Sequence, residues 1–132
     1  MMIDNDLDSF FKFKSPSVSY DNEEVFFVRL DPLISSADEL LKSMYYLLWF
    51  PGYFGFNWNS LYDCLRDFEW ISYTKIVIEH DSLPNIPDFE LKIYLEILRD
   101  AVIDWKGDER HQLDIVFYEK DRMRIDNVLM EN

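Results

Sequence analysis

The chain has 132 residues, with 13 Lys or Arg against 26 Asp or Glu, a formal net charge of -13. That length makes one domain the default, and 48% hydrophobic with 17% aromatic residues is far too apolar for a disordered acidic tail. The charge argues against nucleic acid as a direct ligand, because binding a polyanion relies on Lys and Arg releasing its counterions; it favours a basic partner, or serves solubility alone.

The single cysteine, Cys64, permits no intramolecular disulfide and no cysteine-rich metal site, which fits a reducing compartment. No positive n-region opens the chain and no apolar run approaches the ~18 residues of a membrane span, so the expectation is a cytoplasmic protein without membrane contact.

In chain order, residues 1–24 form an extension with acids at Asp4, Asp6 and Asp8, a Phe10, Phe11, Phe13 cluster that docks it partly, and Ser15-Pro16-Ser17 as a breaker. Val25 to Leu30 is an apolar run of β-formers and predicts a buried strand. Ser36-Ala37-Asp38-Glu39 has capping-box spacing, and Leu40, Leu41, Met44, Leu47 and Leu48 follow at helical intervals, predicting a helix from Ala37 to about Trp49. Pro51-Gly52 ends it and opens an aromatic loop. Asn59 is a candidate N-cap for a second helix, with Leu61, Leu65 and Phe68 on one face and Asn59, Tyr62, Asp63 and Arg66 on the other. Lys75 to Glu79 predicts a second strand. Pro87 suits the first position of a long third helix that runs through Leu91, Leu95, Leu98, Val102 and Trp105 and stops at Gly107. Leu113 to Tyr118 predicts a third strand, and residues 121–132 form an alternating charged and apolar tail. Helical connections between strands imply a parallel sheet, hence a small α/β domain over residues 25–120, with helices chiefly on one face and an edge closed by the termini.

Chemistry-bearing motifs are sparse. His80 beside Asp81 could be an oriented base, but no Ser or Cys motif adjoins it; a surface histidine at a strand end is the plainer reading, and His111 falls in a turn. Cys64 reads as an inert core thiol. The three glycines form no phosphate-cradling loop and the acids lack metal-ligand spacing. The expectation is therefore no enzyme activity, no cofactor, no metal and no small-molecule substrate.

The segment Pro51-Gly52-Tyr53-Phe54-Gly55-Phe56-Asn57-Trp58-Asn59-Ser60-Leu61-Tyr62-Asp63-Cys64-Leu65 resembles the signature of the barstar family, intracellular inhibitors of the ribonuclease barnase and its relatives. The resemblance extends more loosely from about Val25 to Glu119. It implies a three-stranded, mostly parallel sheet packed with helices, and an inhibitor or immunity protein that plugs the active site of a basic toxin nuclease. By similarity, Tyr53 corresponds to the family's loop tyrosine and Asp63 to the aspartate that enters the nuclease phosphate site. Tyr62 and Phe68 fall at or near aromatic contact positions, and Asp100 lies where the family carries an interface glutamate. Asn59 departs from the pattern by replacing a second interface aspartate, and either caps the helix or caps it and makes contact.

The residue types fit that role. A ribonuclease site is lined with cations that hold phosphate, so its blocker presents carboxylates and hydrogen-bonding aromatics on a rigid element, as Tyr53, Asn59, Tyr62 and Asp63 offer. Phe54 and Trp58 can instead pack inward, and Asp63 can simply pair with Arg66. Two other functions stay open: a barstar-like binding module that regulates a non-nuclease partner, and a small hydrolase built on His80 and Asp81.

Overall fold

A computed structural model of the chain describes residues 6–15 and 24–130. Asp4, the Pro16-Ser17 breaker and the last two residues lie outside the described residues. A 3-10 turn at Leu7–Ser9 leads into β1 (Lys12–Lys14), followed by β2 (Val25–Leu30), α1 (Ala37–Leu47), α2 (Trp58–Leu65), β3 (Lys75–His80), α3 (Asp88–Trp105), β4 (Gln112–Tyr118), a further 3-10 turn at Glu119–Asp121 and α4 (Arg122–Met130). The strands form one parallel sheet in the order β1-β4-β3-β2.

Strand alternation sorts the sheet's side chains. Phe26, Val28 and Leu30 of β2, Ile76 and Ile78 of β3, and Leu113, Ile115 and Phe117 of β4 join one cluster with the apolar stripes of the four helices. The stripes are those that the periodicity predicts: Leu40, Leu41 and Met44 of α1, Leu61 and Leu65 of α2, and Leu91, Leu95, Leu98, Val102 and Trp105 of α3. The tail after Asp121 is helical and buries Ile125 and Val128.

The sheet has four strands where the sequence predicts three. The additional one, β1, comes from the N-terminal extension and pairs Lys12 with Val116 and Lys14 with Tyr118. Its three residues are too few to announce a strand, and it exists because β4 offers an open edge. Phe11, fully buried, meets Phe117 edge-on at 5.0 Å, and Phe13 lies 6.0 Å from the same ring. Arg122 ties the two ends of the fold together, bonding Asp8 at 3.1 Å and Glu119 at 2.8 Å while its guanidinium lies 4.0 Å from the Phe13 ring.

Alternate positions on the sheet carry charge. Glu79 of β3 is fully buried; Lys14 of β1 pairs with one of its oxygens and Arg29 of β2 donates Nε to the other at 2.9 Å. Arg29 also reaches Asp81 at 3.4 Å. Asp114 of β4 takes Lys12 at 3.0 Å and Lys75 at 3.4 Å. Burial alone would lift the Asp114 carboxyl, but hydrogen bonds from Gln112 and Lys12 hold it below the ordinary carboxylate range.

Both histidines differ from the surface positions that the sequence suggests. His80 is 0% exposed, stacked on Phe117 with ring centroids 4.4 Å apart. Its Nδ1 lies 3.2 Å from the Val116 carbonyl and its Nε2 2.6 Å from the Tyr94 hydroxyl, the arrangement of a neutral ring that donates from one nitrogen and accepts at the other. Burial lowers its pKa to about 4. His111 is also buried, its two nitrogens facing the carbonyls of Tyr73 at 2.8 Å and Phe68 at 3.1 Å, so it ties the α2–β3 connection to the start of β4.

Candidate functional site

The loop between α1 and α2 is held from both ends. The helix before it is fixed at its own N-terminus, where Ser36 caps α1 by accepting the Glu39 amide at 3.1 Å, while the Glu39 carboxylate takes the Ser35 amide and hydroxyl. The helix ends at Leu47, with Trp49 in the left-handed region at φ 57° and its ring edge-on to Phe26 at 4.8 Å. Phe54 then turns inward, its amide donating to the Pro51 carbonyl at 3.0 Å. Its ring sits among Phe50 at 4.8 Å, Phe56 at 4.9 Å and Tyr45 at 6.0 Å. Phe56 also has positive φ, 55°, which a bulky residue adopts only when its surroundings impose it. A Cβ at Gly55 would lie 3.1 Å from the side-chain Nδ2 of Asn57, an approach close enough that the Asn57 side chain would have to shift.

Asn57 is the N-cap of α2, in place of the Asn59 that the sequence suggests. Its backbone is extended, its Oδ1 accepts the Ser60 amide at 2.8 Å, and the Ser60 hydroxyl returns to the Asn57 amide at 3.3 Å, closing a capping box. Asn59 is already inside the helix, where its side chain is exposed and fills no cap. Trp58 is half-buried, 6.3 Å from the Tyr94 ring. On the other side of α2, Trp105 of α3 donates Nε1 to the Leu65 carbonyl at 2.8 Å.

This support leaves one surface facing out. Tyr53 is 55% exposed, yet its hydroxyl is pinned as a donor to the Asp67 carboxylate. Burial of that hydroxyl and the bond to Asp67 together push the phenol above its ordinary pKa, so it stays protonated and donating. Asp63 is exposed and meets Arg66 at 3.3 Å, and the Arg66 guanidinium lies 3.8 Å from the Tyr62 ring centroid. Asn59, Tyr62, Asp63 and Arg66 therefore occupy the outer side of α2, as predicted, with Tyr53 on the preceding loop.

Two of the candidate residues stand elsewhere. Phe68 is 0% exposed, at φ 48°, with Trp70, Trp105 and His111 around its ring. Its ring is core and offers no contact surface, because the chain turns inward immediately after α2. Asp100 is on the flank of α3, half exposed, and pairs with its neighbour Arg99 at 3.0 Å. Cys64 is fully buried under α2, and burial pushes its thiol up to about 11. Sealed in the core, His80 and Cys64 cannot meet a substrate, which removes the hydrolase reading built on His80.

Asp67 is the residue of this face that sequence reasoning missed. It follows Asp63 by one helical turn, but its bond to Tyr53 spans fourteen positions, and no periodicity reports that.

Among the described residues no helix is long and apolar enough to cross a membrane, and no group of three His, Cys, Asp or Glu is placed to hold a metal. The model of one protein family, described as Barstar (barnase inhibitor), matches residues 25–118. Neither a curated protein nor a solved structure matches the chain.

Proposed function

The chain belongs to the barstar family, and on that premise we propose that it is a cytoplasmic immunity protein that binds a basic toxin nuclease and blocks its active site with the loop before α2 and the outer side of that helix. The observation that carries this reading is the arrangement of Tyr53, Asn59, Tyr62 and Asp63 on one exposed surface whose backbone is fixed by the Asn57 capping box and the Phe50, Phe54 and Phe56 rings. Asp100 adds a carboxylate from α3.

Blocking such a site calls for anions delivered at low entropic cost. The backbone is already set and the Tyr53 hydroxyl already oriented, so little ordering remains at association. Asp63 can exchange Arg66 for a partner's cations, since the exposed pair it gives up is worth at most ~1 kcal/mol. The remaining acids steer. A chain of net charge -13 approaching a basic cleft associates fast at low ionic strength and slows as the Debye length shrinks to about 10 Å at 0.1 M salt.

The test is RNA cleavage by barnase, and by any basic nuclease encoded beside this gene, with the protein added at equal concentration. Stoichiometric inhibition that weakens in Tyr53→Ala and Asp63→Ala supports the proposal. Inhibition that ignores both substitutions overturns the assignment of the face. A tight complex that leaves cleavage intact, or an unrelated partner on the same face, supports a regulatory binding module instead.

A further inference from the structure

The anionic end of the face lies at the C-terminal end of α2. Its first turn carries the amide Asn59, its last exposed acid is Asp63, and Asp67 follows one turn later, just past the C-cap residue Arg66. The Asp67 amide donates to the Cys64 carbonyl at 3.1 Å, which holds the residue on the helical path. One carboxylate oxygen accepts the Tyr53 hydroxyl and the other accepts the Glu69 amide at 3.3 Å. A single side chain thus bridges the loop that precedes α2 and the turn that follows it.

The two acids differ in how much charge they offer. Asp63 is already faced by a guanidinium of its own chain, because Arg66 lies over Tyr62 and points Nη2 at Asp63. The Nε of Arg66 is buried with no hydrogen-bond partner among the described residues, so its contact with Asp63 runs through Nη2. Asp67 instead spends its bonds on a phenol and an amide, both neutral. The nearby cation Arg110 feels its field, but is clamped by Asp108 at 2.8 and 3.1 Å. An ionised carboxylate has about four acceptor sites, so Asp67 can hold Tyr53 and still receive a partner's Lys or Arg.

We infer that Asp67 is both the positioning residue for Tyr53 and a partner contact in its own right, offering a cation of the partner a carboxylate that no guanidinium among the described residues bonds. This rests on the loop and α2 being the docking surface. It places the partner's cationic centre over the Tyr53 and Asp67 end of the face.

Barnase is the probe, with affinity measured by calorimetry and association by stopped flow at low and high salt. Asp67→Asn removes the charge and one of the two acceptor oxygens, keeping an oxygen that can still take the Tyr53 hydroxyl; Asp67→Ala removes both oxygens, and Tyr53→Phe removes the hydroxyl. Asp67→Asn is expected to weaken binding roughly tenfold, chiefly through slower association at low salt. Asp67→Ala is expected to weaken it further, and Tyr53→Phe to cost less in the Asp67→Ala background than in the wild type. Binding by Asp67→Asn with wild-type affinity and salt dependence, while Asp63→Ala still impairs it, overturns the inference and leaves the face intact. No binding by the wild type or any variant removes the docking surface, and this inference with it.

Discussion

Glu79 and Asp63 are both carboxylates paired with an arginine, and the pairs are built in opposite ways. Glu79 is fully buried on the central strand β3, and its two cations, Lys14 and Arg29, come from two other strands. Asp63 is exposed, and its cation sits three residues along the same helix. The first arrangement cannot open without tearing the sheet. The second opens by rotating a side chain. Charge is therefore a structural element where its partners arrive from distant segments and is free to serve the proposed recognition where they are local and wet, although the residue types are the same.

The comparison breaks most visibly at Glu79. Removing its carboxylate takes the acid from beside the buried Lys14 ammonium, while the half-exposed Arg29 keeps Asp81, so Glu79→Ala is expected to lose about 3 kcal/mol in urea unfolding. A loss below ~1 kcal/mol would show that the buried network is not what joins the strands.

The next effect comes from His80, also sealed in the sheet's core. Its folded pKa, about 4, lies below its ordinary 6.5, so as pH falls through that interval the unfolded chain takes up a proton that the native chain refuses. Stability contributed by this group is complete above pH 6.5 and declines by roughly 3 kcal/mol toward pH 4. Denaturation at a series of pH values, with His80→Gln as reference, should show a shallower slope in the variant. Equal slopes would place the acid sensitivity elsewhere.

On the recognition side the balance inverts. Asp63→Ala is expected to weaken binding of a basic nuclease by about 2 kcal/mol or more, because the partner's cations are left unpaired, while unfolding shifts by at most ~0.5 kcal/mol. A variant that unfolds more readily yet binds as well as wild type would make Asp63 structural. The smallest effect sharpens the capping correction: Asn57→Ala should cost about 1 kcal/mol of stability and Asn59→Ala close to none. The reverse order would restore Asn59 as the cap.

Much of the fold is legible along the chain because it depends on neighbours. The period of Leu91, Leu95, Leu98, Val102 and Trp105 announces α3, and Gly107, at φ 83°, stands just past its end. Ser36 with Glu39 marks the start of α1, although the Glu39 carboxylate takes the backbone amide of Ser35 and, from Ser36, the hydroxyl at 3.5 Å. The proposed recognition surface is legible for the same reason: Tyr53 to Asp63 is one continuous segment, and placing Tyr62 and Asp63 on the outer side of α2 needs only the helical period.

Asn57 and Asn59 show where that reasoning ends. They lie two positions apart and either could precede a helix start, and the cap falls to Asn57, whose backbone is extended and whose side chain accepts the Ser60 amide. Helical spacing puts Phe68 in line with Leu61 and Leu65 but says nothing of the left-handed turn that drives its ring among Trp70, Trp105 and His111.

By itself, then, the sequence determined the parallel α/β class, the order of its principal elements and the continuous segment that forms the proposed face, all of which follow from period, capping and turn chemistry within a few residues. Tertiary structure decided what needed a distant partner. Lys12–Lys14 became β1 because β4 had an open edge, Glu79 and His80 could be buried because Lys14, Arg29, Val116 and Tyr94 arrive to satisfy them, and Asp67 joined the face because Tyr53 folds back onto it. A polar group leaves water only when another segment supplies its hydrogen bonds, and which segment does so is a property of the packed chain.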